Sequence, residues 1–227
     1  MFSHINFDTY EKADKPTLVY NGRRSHYEYN GKVMQRITSI LSKMLDSEGL
    51  SAWRERVGEE VANHICKTAI ARGNALHTLA EKYLKNDLKV GEFGDALLPL
   101  AMFEKLRPFL DRISNIRGIE IPVVSEKYQV AGTIDIVAEY DGVLSIIDLK
   151  SSTRPKKPEW CERYYLQECF YALALEEMTG QPISTLITLV VSENGQVQVL
   201  KEDRDSWIHR LDSIIDSYMK LYPGVCN

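Results

Sequence analysis

The chain has 227 residues, of which 44% are hydrophobic and 26% are charged, and its formal net charge is -4. These values suit one folded domain, and no apolar run approaches the roughly 20 residues that span a bilayer. The slight excess of acidic residues excludes a general electrostatic attraction to nucleic acid, so any such binding must depend on a local basic patch.

The N-terminus and the cysteines favour a cytoplasmic protein. Residues 1–16 carry three acidic side chains and no apolar segment, so they resemble neither a secretory signal nor an Arg-rich transit peptide. The four cysteines form no CxxC pair, which argues against a structural zinc site or a disulfide framework. We expect reduced thiols at all four positions, which are Cys66, Cys161, Cys169 and Cys226.

The predicted elements begin with a short β-ribbon over residues 17–35. Asn-Gly pairs at 21–22 and 30–31 punctuate its aromatic and β-branched stretches, and such pairs are typical of β-hairpins. Thr38 or Ser39 can then cap a helix that continues to about residue 45 and ends near Gly49.

Helices are predicted next. Apolar residues recur at three- and four-residue steps over residues 52–84, which indicates a helix with a break at Gly58 or Gly73. Residues 96–116 are also predicted to be helical, and Pro108 should kink or divide that helix.

The periodicity changes after residue 118. β-branched runs predict strands, and longer segments between and after them predict helices: strands at 119–124, 128–140 and 143–150, a helix at 158–178, strands at 186–191 and 197–200, and a helix at 203–221. This order predicts an α/β fold with a mixed sheet flanked by helices. We expect a single domain over residues 1–227, with a β-ribbon at 17–35, a helical region at 38–118 and an α/β core at 119–227.

Three charged residues interrupt two apolar strands that are joined by a turn at Asp141-Gly142. Asp148 and Lys150 are two residues apart and therefore project from one face of their strand, and Asp135 lies in the adjacent strand. Two neighbouring carboxylates repel unless a divalent cation lies between them, and oxygen ligands favour Mg²⁺ or Mn²⁺. The alternative is an Asp148–Lys150 salt bridge at a sheet edge, with Asp135 facing water. Apolar flanking residues such as Ile134 favour buried strands.

Four motifs resemble the PD-(D/E)xK nuclease superfamily, in its RecB-like branch. They are RGNALHTLAE at 72–81, GTIDIV at 132–137, IIDLKSS at 146–152 and YYLQECFYALAL at 164–175. Within that branch, Glu120 and the segment HYEYNGKVMQRITSIL at 26–41 are most similar to the mitochondrial genome-maintenance exonuclease family and related phage exonucleases. The resemblance covers about residues 26–192 and implies a restriction-endonuclease-like sheet.

The resemblance also implies roles for individual residues. The metal ligands for Mg²⁺ or Mn²⁺ would be His77, Asp135, Asp148 and the carbonyl of Leu149. Lys150 would orient or activate the attacking water, and Gln167 and Tyr171 would hold the lysine or a phosphate. Relatives that carry an iron-sulfur cluster have clustered cysteines, which this chain lacks, so we expect no cluster.

Several of these residues have a plain structural alternative. A lone helical histidine such as His77 is more often structural than a ligand. Glu81 lies one helical turn after it and is either an orienting group or a surface acid. Glu120 either supports the site or simply lies at a strand end. Tyr171 could be core packing with Gln167 at its margin.

Basic residues follow the Asp148–Lys150 strand directly and are candidates for phosphate contacts, although a run of this kind is usually a solvated loop. They are Arg154, Lys156, Lys157 and Arg163. A second group on the preceding helices could form an opposite wall, with an aromatic side chain for base stacking. It comprises Trp53, Arg54, Arg56, Lys67 and Arg72.

We therefore predict a Mg²⁺- or Mn²⁺-dependent deoxyribonuclease, and the resemblance implies an exonuclease that acts on single-stranded DNA or DNA ends. DNA repair, replication or recombination would be its setting, with proteins of those processes as partners, no membrane, and the host-cell cytoplasm if a phage encodes it. One alternative is an inactive nucleic-acid-binding module of the same fold. The other is a structural partner protein in replication or recombination.

Overall fold

The computed structural model describes residues 1–21, 24–45, 47–89, 91 and 96–223. Gly22 and Cys226 lie outside the described residues. The helices are α1 Asp8–Lys12, α2 Ile37–Leu45, α3 Ser47–Val57, α4 Glu59–Leu84, α5 Leu97–Leu110, α6 Glu162–Thr179 and α7 Ile208–Leu221, with short 3-10 turns at Pro158–Trp160 and Arg204–Ser206. The strands are β1 Thr17–Asn21, β2 Arg24–Tyr29, β3 Lys32–Arg36, β4 Ile113–Ser125, β5 Val130–Tyr140, β6 Val143–Ser152, β7 Thr185–Ser192 and β8 Val197–Asp203.

The strands form one mixed eight-stranded sheet in the order β1-β2-β3-β5-β6-β7-β8, with β4 paired to the other edge of β5. The β3–β5 and β6–β7 pairs are parallel and the other pairs are antiparallel. This architecture confirms the predicted α/β fold. The predicted β-ribbon corresponds to strands β1, β2 and β3, and it extends the main sheet because β3 pairs with β5.

The sheet splits beside β5, and this split positions the site. One edge of β5 pairs with β3 through Val130 and Ala131, and the same edge pairs with β6 only from Ile136 onwards. Beyond Ile147, β6 continues alongside β7 alone among the described strands. The residues of β5 between its two partners are 132–135, so Asp135 lies where β5 and β6 diverge.

Helices cover both faces of the sheet. On one face α2, α6 and α7 bury an apolar core that includes Ile134 and Ile146. On the other face α4 and α5 bury a second core that includes Ile136 and Leu149. Burial on both faces explains why the strands are continuous apolar runs. Among the described residues, no helix combines the length and the apolar character needed to cross a bilayer.

The end of the predicted 96–116 helix is wrong. Helix α5 ends at Leu110, two residues after Pro108, and residues 113–116 already belong to β4. Ile113 pairs with Tyr140 of β5, so a tertiary partner decides a segment whose own periodicity was ambiguous. The boundary predicted at residue 118 therefore falls inside β4.

Of the two positions predicted for a helix break, the break occurs at Gly58, whose φ of 85° suits glycine, whereas Gly73 lies inside α4. Two other helix boundaries differ from the prediction. Gly49 lies within α3 instead of ending a helix. Helix α2 begins at Ile37, so Thr38 and Ser39 lie in its first turn instead of capping it.

Candidate active site

The backbone of Leu149 connects two of the predicted site residues. Its N–H donates to Oδ2 of Asp135 over 2.8 Å, and its carbonyl oxygen lies 2.8 Å from Nε2 of His77. This N–H lies beyond the last β5–β6 ladder pair, so the Asp135 carboxylate satisfies a donor that the diverging strands leave exposed. The split in the sheet thus fixes the position of Asp135.

His77 lies on α4 and reaches the sheet across 72 residues of sequence. A carbonyl oxygen can only accept, so Nε2 carries a proton, and in the neutral imidazole Nδ1 then holds the lone pair. Nδ1 is 3.5 Å from Oδ2 of Asp135 and 3.9 Å from Oε1 of Glu120. The hydrogen bond to Leu149 therefore aims Nδ1 at two carboxylates.

Glu120 faces Asp135 across the β4–β5 pair. Its neighbours Ile119 and Ile121 pair with Ile136 and Ile134, which places Glu120 opposite Asp135. The φ of Glu120 is 55°, in the left-handed region that a glutamate rarely adopts, and such strain is concentrated at functional sites. Two facing carboxylates repel unless a cation separates them.

These three side chains satisfy the geometric condition for a shared cation. Ligand atoms of His77, Glu120 and Asp135 all lie within 4.8 Å of one another. One imidazole nitrogen and two carboxylates form a donor set that suits Mn²⁺ and Mg²⁺. The residues present therefore fit a divalent cation, and the carboxylate of Glu120, which was expected only to support the site, lies among the candidate ligand atoms.

The pKa of His77 reports the negative charge of this cluster. Burial lowers it, but the charge of Asp135 and the interaction with Glu120 outweigh burial and raise the pKa of His77 to about 9. Without a cation, the imidazolium therefore balances the carboxylates.

Asp148 and Lys150 form an ion pair on the α6 side of β6. Asp148 is 1% exposed, and its second oxygen, Oδ1, accepts from Nε2 of Gln167 over 3.0 Å. The same Gln167 nitrogen lies 3.1 Å from the hydroxyl of Tyr171, so the structure brings all four predicted residues together. In the part of the chain that the structure describes, Asp148 is not a member of the three-residue ligand cluster.

Charge states follow from burial and pairing. Burial raises the pKa of Asp148 to about 6, and the neighbouring Lys150 offsets only part of this effect. Burial lowers the pKa of Lys150, but the charges of Asp148 and Asp135 outweigh it, so the net shift is upward. Lys150 is therefore a charged ammonium at neutral pH.

The cluster of His77, Glu120 and Asp135 borders an open cleft between α4 and the sheet. Its volume is about 490 Å³, and its lining includes Ile70, Gly73, Asn74, His77, Glu120 and Asp135. This size falls within the range of pockets that hold small ligands. The arrangement combines a candidate cation site with a fixed ammonium group.

Comparison with known proteins identifies the family. The sequence pattern of the PD-(D/E)XK nuclease superfamily matches residues 98–220, more than half of the chain. The chain belongs to this superfamily. The family predicted from the sequence motifs is thereby confirmed, and nucleases of this superfamily use divalent metals.

Two curated proteins that the chain resembles have the same name. Mitochondrial genome maintenance exonuclease 1 of Homo sapiens is 26% identical over 153 residues, which cover 64% of this chain and 44% of the relative. The Mus musculus protein of the same name is 28% identical over 127 residues, which cover 53% of this chain and 37% of the relative. The aligned segment thus spans less than half of each relative. The crystal structure of a candidate exonuclease from Eubacterium rectale has a TM-score of 0.48 and 11% identity, covering 68% of this chain and 65% of that one.

Arg72 and Glu81 have partners outside the candidate ligand cluster. The Arg72 side chain is buried, pairs with Glu193 and approaches the hydroxyl of Ser151 at 3.4 Å. The Arg72 side chain therefore links α4 to the end of β6. Glu81 lines the cleft near His77, but its carboxylate pairs with Lys85 at 2.6 Å.

The basic residues after β6 differ in exposure. Arg154 and Lys157 are exposed, whereas Lys156 and Arg163 are half-buried. In the second predicted group, on the helices that precede the sheet, Arg54 pairs with Glu59 at 2.8 Å. Of the other residues predicted to form an opposite wall, Trp53 is half-buried, and Arg56 and Lys67 are exposed.

Sequence reasoning missed a buried acid beside this site. Glu168 of α6 is 0% exposed, and one of its oxygens accepts from the hydroxyl of Thr188, the residue paired with Asp148 in the β6–β7 ladder. Burial raises the pKa of Glu168 well above its usual range, the charge of Asp148 adds to this, and the hydrogen bond from Thr188 opposes it. The sequence signal for a buried acid is a glutamate placed among the apolar residues of the predicted helix.

Proposed function

We propose that this nuclease is a Mg²⁺- or Mn²⁺-dependent deoxyribonuclease that hydrolyses phosphodiester bonds in single strands or at DNA ends. The observation that carries the proposal is the convergence of His77 Nδ1, Glu120 and Asp135 beside the Asp148–Lys150 pair. A bound cation supplies Lewis acidity toward the phosphate and lowers the pKa of a coordinated water.

The backbone of Leu149 orients two of the three proposed cation ligands. Asp135 is fixed by the Leu149 N–H, and His77 is fixed by the Leu149 carbonyl. Asp148 and the Leu149 carbonyl, which the family resemblance implies as ligands, are engaged with Lys150 and His77 in this structure. We assign Glu120 as the third protein ligand and Asp148 as the group that positions Lys150.

Lys150 acts as a positive charge and a hydrogen-bond donor. Its raised pKa keeps it protonated, so at neutral pH it does not serve as a general base. An ammonium held by Asp148 stabilises the negative charge that develops on the phosphoryl oxygens, because it is already oriented before the substrate arrives. Gln167 and Tyr171 keep Asp148 in position through their hydrogen-bonded chain.

Two observations support DNA and an exonuclease mode. The relatives are named as exonucleases of genome maintenance. In addition, the first half of α4 buries only Ala62 among its described residues and borders the cleft near Ile70. We propose that α3 and this half of α4 form a wall that admits a single strand or an end more readily than a continuous duplex.

The test is digestion of end-labelled single- and double-stranded oligonucleotides of DNA and RNA with Mg²⁺, Mn²⁺ or EDTA. Wild-type protein should digest DNA only with a cation, and the ladder of products should shorten from an end. Asp148→Asn and Lys150→Ala should each reduce the rate by at least about 100-fold. Asp141→Asn, an exposed aspartate on the same β5–β6 hairpin, is the matched control and should retain full activity.

The same experiment separates the alternatives. DNA binding without cleavage in any cation would replace the proposal with an inactive binding module. Neither binding nor cleavage would favour a structural partner protein. Circular dichroism of each variant shows whether lost activity reflects lost folding.

A further inference from the structure

The segment between β6 and α6 carries an exposed tryptophan that the proposed chemistry does not use. Trp160 is 63% exposed at the end of the Pro158–Trp160 turn. The other two tryptophans, Trp53 and Trp207, are half-buried, and Trp207 donates to Glu202 over 3.2 Å. An indole exposed to this degree leaves a large, flat apolar face that is available for contact with a ligand.

The segment around Trp160 is held rigidly. Two hydrogen bonds, of 2.7 Å and 2.8 Å, join the backbone of Lys156 to the side-chain amide of Gln198 in β8. The hydroxyl of Ser152 donates to the Arg154 carbonyl over 2.7 Å, and the Trp160 N–H donates to the Lys157 carbonyl over 2.9 Å. A side chain presented by such a fixed backbone loses little entropy when it binds.

A positive charge lies beside the indole, in a segment rich in basic residues. Nζ of Lys157 lies 5.1 Å from the centre of the Trp160 ring, and the exposed Arg154 precedes it. Residues 154–163 contain four basic side chains and two acidic ones, Glu159 and Glu162, and Glu162 is paired with Arg210 at 2.8 Å. A basic surface with one flat aromatic group suits a polyanion that carries unpaired bases.

The segment leads to the proposed catalytic lysine. Tyr164 lies four residues after Trp160, and the centre of its ring is 5.5 Å from Nζ of Lys150. A strand that places a phosphate at Lys150 can therefore continue along Tyr164 toward Trp160.

We propose that Trp160 is a base-stacking platform for single-stranded DNA whose cleaved phosphate lies at Lys150. The inference rests on the proposed nuclease function and adds its substrate contact. One unpaired base stacks on the indole, and Arg154 and Lys157 contact the phosphates on either side of it. Paired bases cannot stack in this way, so the platform selects for unpaired nucleotides.

Tryptophan fluorescence tests this inference without catalysis. Oligothymidine is titrated in EDTA into wild-type protein and into Trp160→Phe and Trp207→Phe, the second being the control because Trp207 is half-buried and hydrogen-bonded to Glu202. A base stacked on an indole quenches its emission, so the quench should survive in Trp207→Phe and be largely lost in Trp160→Phe. Persistence of the full quench in Trp160→Phe would overturn the inference.

Binding affinity gives the second readout. Trp160→Ala should weaken oligothymidine binding about 5- to 100-fold, and Trp160→Phe should weaken it less. Blunt duplex binding should change less than twofold in both variants. Unchanged affinity of Trp160→Ala for oligothymidine would overturn the inference.

Different results separate this inference from the proposed function. If wild-type protein cleaves DNA and Trp160→Ala cleaves single strands equally well, the platform fails and the nuclease stands. A Trp160-dependent quench without cleavage would leave the platform standing and remove the catalytic proposal. Absence of any binding by the wild-type protein would overturn both.

Discussion

Nε2 of His77 donates a hydrogen bond to the carbonyl oxygen of Leu149 over 2.8 Å, and this contact joins the helical layer to the split in the sheet. The Leu149 N–H holds Asp135 at the same point. One backbone unit therefore orients an imidazole and a carboxylate toward a common space. The site depends on where β5 and β6 separate, and not only on which residues they carry.

Cation binding should release a proton, because His77 has a pKa of about 9 in the cation-free protein and must be neutral to bind through Nδ1. Below pH 9 the observed Mn²⁺ affinity should therefore fall about tenfold for each unit by which the pH is lowered. Calorimetry at pH 7.5 in buffers of different ionisation enthalpy should show about one proton released.

The matched variants are His77→Ala and His209→Ala, since His209 is exposed on α7. His77→Ala should bind Mn²⁺ at least about tenfold more weakly and release no proton. His209→Ala should behave as wild type. An affinity that is constant between pH 7 and pH 9 would show that His77 is not a ligand.

Glu120→Gln should weaken the stabilisation that a cation provides. In EDTA the variant loses both the repulsion between Glu120 and Asp135 and the attraction between Glu120 and protonated His77, so its free energy of unfolding should change by less than about 0.5 kcal/mol. With Mn²⁺ the increase in melting temperature should be smaller than in wild type, because a ligand has been removed. Glu126→Gln, on the β4–β5 turn, is the control and should leave both values unchanged. An equal Mn²⁺ response in Glu120→Gln and wild type would contradict the ligand assignment.

Glu168→Gln should stabilise the protein at neutral pH. Because the folded-state pKa of Glu168 is raised, the folded protein holds a proton that the unfolded chain releases above pH 4.5, and stability falls as the pH rises from there toward the folded-state pKa. Removing this group should add about 1 kcal/mol or more to the free energy of unfolding at pH 8, and the difference should vanish near pH 4. Urea unfolding at both pH values measures it, with exposed Glu55→Gln as the unaffected control. A loss of stability at pH 8 would show that the Glu168 carboxylate is compensated.

Gly132→Ala should damage the site through Tyr171. A Cβ at position 132 would lie 2.6 Å from Cε1 of the Tyr171 ring, which is packed on all sides and has little room to move. The variant should lose about 1–3 kcal/mol of unfolding free energy and reduce cleavage, because Tyr171 and Gln167 hold Asp148. Gly49→Ala is the control, because a Cβ there meets nothing within 4 Å. That variant should be as stable as wild type or slightly more so. Wild-type stability and activity in Gly132→Ala would contradict the close packing.

The α/β fold and the shared face of Asp148 and Lys150 could be predicted from the sequence, because strand alternation and apolar runs are local properties. The same is true of the pairing of Gln167 with Tyr171 along one helical face. The end of α5 could not, because Ile113 is recruited into β4 by a partner in β5.

The approach of Glu120 to His77 and Asp135 and the buried state of Glu168 also escaped prediction. The first depends on a backbone φ of 55° and on its register with Asp135, and the second depends on the packing of α6 against β7. Contacts between distant segments decide both, as they decide the reach of His77 to Leu149.

Anomalous diffraction from crystals soaked in Mn²⁺ tests the central claim most directly. We expect one strong peak at about 2.0–2.3 Å from Nδ1 of His77 and from a carboxylate oxygen each of Glu120 and Asp135. Lys150 should remain paired with Asp148. A peak remote from His77, or none at saturating Mn²⁺, would contradict the account.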